Sequence, residues 1–174
     1  MKAPMMLSLR STGVLVALIL FVMASSARSQ TPLGTYDEWE ALTDKDGGKT
    51  VCYIGSMPQK RQGKYKKRDD TYVLITHRPA EKRINELSVQ AGYSYKKLSD
   101  VEVTIGEQVF ELFTDGRHAF AKDSEADNKL VKAMILGTIM IVRGTSSRGT
   151  LTTDTYSLKG FTAAYKAIGK ACKV

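Results

Sequence analysis

Residues 149–172, GTLTTDTYSLKGFTAAYKAIGKAC, decide how the rest of the chain is read. The Thr-rich first half has strand composition, Lys159-Gly160 marks a turn, and the second half recurs at helical spacing. Phe161, Ala164, Tyr165, Ile168 and Cys172 share one stripe, so this short helix lays its cysteine against a core. Gly160 lets the chain swing from strand to helix, and Phe161 is placed to plug the end of a β structure. The second cysteine, Cys52, lies in an alternating apolar run near the front of the chain. Joining the two would fasten the end of the chain to its beginning.

The compartment supports that pairing. Lys2 and Arg10 precede a twelve-residue apolar run, GVLVALILFVMA at 13–24, and Ser25, Ser26, Ala27 and Ser29 follow it. This is the three-part pattern of a secretory signal, with cleavage expected after Ala27 or Ser29. The run is short of the roughly twenty residues that a membrane span needs. Removing Lys2, Arg10 and Arg28 lowers the formal charge from +8 to +5, a level that keeps a small domain soluble. An even pair of cysteines in an oxidising compartment is most simply one disulfide, and the absence of CxxC spacing argues against a redox pair.

Residues 30–174 are therefore read as one domain. Residues 30–34 are a polar lead-in, and 36–42, with the lone Trp39 as a core or sheet-face anchor, is the first strand. Asp46-Gly47-Gly48 turns it into a second strand at 51–56. A continuous apolar strand at 71–76, covered on both faces, is followed by an alternating strand at 86–93. A three-strand meander covers 101–121. A helix starts at a Ser124/Asp127 capping pair and stops at Gly137, and TIMIV at 138–142 is a candidate for the sheet centre. About nine strands and two short helices, one of them C-terminal, imply a mainly antiparallel β-sandwich or flattened barrel.

Residues 60–68, KRQGKYKKR, hold six cations in nine positions and read as an exposed connection. Lys60, Arg61, Lys64, Lys66, Lys67 and Arg68, with Tyr65 among them, are the candidate anion-binding residues. In an exported protein the matching polyanions are anionic lipid or polysaccharide, and nucleic acid is not expected. A solvated segment that keeps an edge strand from pairing is the alternative. His77 and His118 have no second ligand at metal spacing, so no metal and no cofactor are expected. A hydrolase built on either histidine, with Ser146 or Ser147 as nucleophile, lacks any GxSxG spacing. The chain reads as a non-enzyme.

The signal segment, Trp39, Cys52 in the second strand, and above all the S-L-x-G-F-x-x-A pattern from Ser157 to Ala164, with Tyr165 next to it, resemble the invasion-associated locus B family of alphaproteobacteria. That resemblance implies an exported β-sandwich protein, periplasmic or associated with the outer membrane. The founding members are linked to host-cell entry, and most relatives have no known biochemical activity.

Overall fold

The computed structural model describes residues 30–174, so the proposed secretory signal lies outside the described residues. Eleven strands occur among them: β1 (Thr31–Tyr36), β2 (Trp39–Asp46), β3 (Lys49–Ser56), β4 (Lys60–Gly63), β5 (Tyr72–Arg78), β6 (Arg83–Gln90), β7 (Asp100–Ile105), β8 (Gln108–Asp115), β9 (His118–Phe120), β10 (Ile139–Thr145) and β11 (Leu151–Ser157). Helix α1 (Ser124–Leu136) stands between β9 and β10, and α2 (Phe161–Cys172) ends the chain. The strands form a single antiparallel sheet in the order β1-β2-β3-β5-β6-β9-β8-β7-β10-β11-β4.

This sheet is open at β1 and β4, yet its ends come close together. Only Met57, Pro58 and Gln59 separate β3, third from one end, from β4 at the other end. Three residues span little more than about 10 Å, so the sheet has to curl until its halves face each other. Alternate side chains from both halves, such as Ile54, Ile75, Val89, Val103, Met140 and Tyr156, then meet in one buried core. The Trp39 indole donates to the Ser157 carbonyl at 3.0 Å, joining β2 to β11 across that core.

The expected mainly antiparallel β fold with a C-terminal helix is present. Two added strands account for the higher strand number. Residues 31–36, whose first four fall in the segment read as a polar lead-in, pair with β2 through a register shift between Pro32 and Gly34. Proline has no ladder donor, and an edge strand tolerates it there. Half of the basic connection is β4, which pairs with β11.

Other readings need correction. The strand at 138–142 is not central: β9 holds that place, and Ile139 on β10 is half exposed. The run at 71–76 is not covered on both faces, because Tyr72, Leu74 and Thr76 are only half-buried. Helix α1 is capped by Asp123, which accepts from the Ala126 amide at 2.8 Å, not by Ser124. Asp127 instead points into the fold and accepts from the Leu87 amide at 2.9 Å. Among the described residues no helix is long and apolar enough to cross a membrane.

Candidate functional site

The basic segment is built from its strand outward. Lys60 to Gly63 pair with Thr155 to Thr152, placing four residues on the sheet's terminal edge. The chain then leaves the sheet, and the Tyr65 hydroxyl donates back to the Arg61 carbonyl at 3.2 Å. Arg68 turns inward. Its guanidinium bonds both carboxylate oxygens of Asp154, at 2.7 Å through Nη1, and Nε donates to the Ala91 carbonyl. The cation lies 5.5 Å from the Tyr65 ring and 5.0 Å from that of Tyr93. Burial works against its charge, but the Asp154 carboxylate outweighs that and holds the Arg68 pKa above its ordinary value.

Arg68 therefore separates from the other candidates: its side chain is 1 % exposed and fully engaged, so no external anion reaches it. Arg61 is exposed, with Nη2 turned toward the carbonyls of Arg68 and Asp69. Lys60, Lys64, Lys66 and Lys67 are exposed and make no ion pair among the described residues. The arrangement is a lysine-bearing loop whose far end is pinned by a buried bidentate ion pair.

The C-terminal motif serves the fold. Gly160 caps α2 at φ 87°, where a Cβ would lie 1.9 Å from the Tyr36 carbonyl oxygen. Phe161 meets Trp39 edge-on at 4.9 Å and stacks with Tyr165 at 6.0 Å. The Tyr165 hydroxyl donates to Asn85 Oδ1 at 2.8 Å. At the helix end Cys172 is bonded to Cys52, at a sequence separation of 120 and with 6.0 Å between their Cα atoms.

His77, the cross-strand partner of Cys52, is wholly buried. Its Nδ1 accepts from the Asn85 amide at 3.2 Å, which leaves the proton on Nε2, and no partner for Nε2 occurs among the described residues. Burial lowers its pKa, against a smaller upward pull from the Thr76 backbone. A side chain so enclosed cannot touch a substrate. His118 stacks on Phe120 at 6.0 Å, and the Ser146 hydroxyl accepts from the Thr150 amide. Among the described residues no cluster of three or more His, Cys, Asp or Glu is placed to hold a metal.

The outer face of β2, β3 and β5 holds a groove of about 760 Å³ that the sequence reading did not find. Leu42, Tyr53 and Leu74 form its apolar surface, while Glu38, Glu40 and Asp44 stand along its β1–β2 side. Its signal was present in the sequence as apolar residues on the outward phase of strands whose inward phase was already filled.

In comparisons with known proteins, no curated protein matches the chain. Among solved structures it is similar to invasion associated protein B from Bartonella henselae, with a TM-score of 0.56 and 16 % identity over 80 % of this chain and 96 % of that one. At that identity the likeness establishes the fold alone. The sequence model of the invasion associated locus B (IalB) protein family matches residues 39–169, from the core tryptophan to the last turns of α2. The chain belongs to the invasion associated locus B family.

Proposed function

We propose that this is an exported, non-catalytic protein of the periplasm or outer membrane, and that it binds anionic groups of the envelope through Lys60, Lys64, Lys66 and Lys67. Family membership and the Cys52–Cys172 disulfide support export, because such a bond persists where thiols are oxidised. The enclosure of His77 supports a role without catalysis.

The observation that carries the binding reading is the anchored loop. The Arg68–Asp154 pair fixes one end of the segment and β4 the other, so the exposed lysines between them are presented on a short tether. Less flexibility is then lost when an anion is bound. Phosphate or carboxylate groups of anionic lipid or polysaccharide have the required chemistry.

Cosedimentation with anionic and with zwitterionic vesicles tests this, with an acidic polysaccharide as a parallel arm. Binding to the anionic surface should be stronger at low salt and fall in a K64Q/K66Q/K67Q variant. Equal recovery of variant and wild-type protein on both surfaces would refute it.

A further inference from the structure

Three loops meet at one end of the sheet: residues 64–71 after β4, 91–99 after β6 and 146–150 after β10. Backbone bonds hold them together. The Ser147 amide donates to the Ser94 carbonyl at 2.8 Å, the Lys96 amide to that of Thr145 at 2.9 Å, and the Asp69 amide to that of Gly92 at 3.1 Å. The Arg68 guanidinium adds its bond to the Ala91 carbonyl. Lys64, Lys66, Lys67, Lys96, Lys97 and Arg148 are thereby gathered at this end; all six are exposed, and none makes an ion pair among the described residues. The exposed carboxylates here are Asp70, Asp100 and Asp115, while that of Asp69 is held by Arg117 at 2.7 Å. Six cations against three carboxylates leave this end positive, and it attracts anions.

Two leucines belong to the same end. Leu151 opens β11 one residue before Thr152, the partner of Gly63, and is 60 % exposed. Leu98 is wholly exposed, between Lys97 and Ser99, at φ 56°. Left-handed backbone disfavours a side chain as large as leucine, and here that side chain gains no packing in return. One exposed leucine needs no explanation, but two set among six unpaired cations make a surface both cationic and apolar. An acidic polysaccharide would neutralise the cations and leave both leucines in water. A bilayer with anionic headgroups meets both, with phosphates at its surface and acyl chains beneath them.

We propose that this end of the sheet docks on an anionic bilayer, with the cations of the three loops against lipid phosphates and with Leu98 and Leu151 entering the acyl boundary. The inference rests on the lysine-loop reading and narrows its partner to lipid. It also adds Lys96, Lys97 and Arg148 to the contact, residues that the loop 64–71 does not contain.

Cosedimentation at low salt with vesicles of phosphatidylglycerol and phosphatidylcholine tests the proposal. A K96Q/K97Q/R148Q variant, with the lysine loop intact, should lose about a hundredfold in partitioning, roughly fivefold for each cation. An L98S/L151S variant should lose about tenfold on the same vesicles and leave recovery with acidic polysaccharide unchanged. Leu98→Trp reports depth: above the signal of the buried Trp39, its emission should shift to the blue on vesicles and be quenched by brominated acyl chains. Absence of wild-type binding to the anionic vesicles, wild-type binding by either multiple variant, or an unquenched tryptophan at position 98 would each overturn the proposal. The lysine-loop reading would survive such a result if K64Q/K66Q/K67Q alone lost binding, to vesicles or to polysaccharide.

Discussion

A methyl group at position 160 would lie 1.9 Å from the Tyr36 carbonyl oxygen, on a backbone that already has φ 87°. The left-handed conformation costs a non-glycine residue about 1–2 kcal/mol and forced overpacking about 1–3 kcal/mol more. Gly160→Ala should therefore destabilise the protein by about 3 kcal/mol in urea unfolding; a loss below about 0.5 kcal/mol would mean that the β1–β2 turn yields freely. Arg68 carries a different kind of cost. Arg68→Ala would strand the Asp154 carboxylate, 3 % exposed, without its counter-ion, and should cost about 3–5 kcal/mol. A paired R68M/D154L replacement should recover much of that loss, and recovery of none would show that the pair does more than neutralise charge. Asp127 sets a pH dependence. Burial first, then the nearby Glu86 and Asp123 charges, raise its pKa to about 6 against the downward pull of the Leu87 amide. Its folded pKa exceeds the unfolded value near 3.8, so its contribution is greatest below that value and is lost as pH rises through about 6. Stability of Asp127→Asn relative to wild type should accordingly rise between pH 4 and 7. A difference independent of pH would contradict this. His77 works in the opposite sense: its lowered pKa gives stability above pH 6.5 that is lost as pH falls.

Helix α2 is held at both ends, by Gly160 and Phe161 against β1 and β2 and by Cys172 against β3. Closing so long a loop removes about 4–5 kcal/mol of unfolded-state entropy in the chain model, comparable to the net stability of a small domain. Reduction should make α2 the first element to lose amide protection in hydrogen exchange, followed by β3; unchanged α2 protection would show that Phe161 and Tyr165 suffice to hold it. This tether was readable in the sequence, because helical periodicity put Cys172 on the buried stripe and alternation put Cys52 on a strand. Strands β1 and β4 were not readable in the same way. Thr31–Tyr36 contains a proline and a glycine, Lys60–Gly63 is fully exposed, and each gains strand structure from backbone pairing with one neighbour. Edge strands need no apolar side chain to exist, so periodicity is blind to them. The cap of α1 was misplaced because Asp127 has the side chain of a capping partner but spends it on β6. Composition marked the basic segment correctly as a charge cluster. It could not show that Arg68 turns inward, because Asp154 is 86 residues away in sequence.

Across the whole molecule, the C-terminal motif closes the fold, and the exposed charged surfaces are elsewhere. Trp39, Gly160, Phe161 and Tyr165 shut one end of the curled sheet, while the lysine loop and the acidic groove lie on its outside. We propose that the chain acts outside the cytosol as a processed, disulfide-closed protein. Intact mass spectrometry of the protein purified from its own cells, alkylated before and after reduction, tests this most directly. The account predicts a chain beginning at Arg28 or Gln30 whose two cysteines take up alkylating reagent only after reduction. A full-length chain carrying two thiols that alkylate without reductant would contradict it.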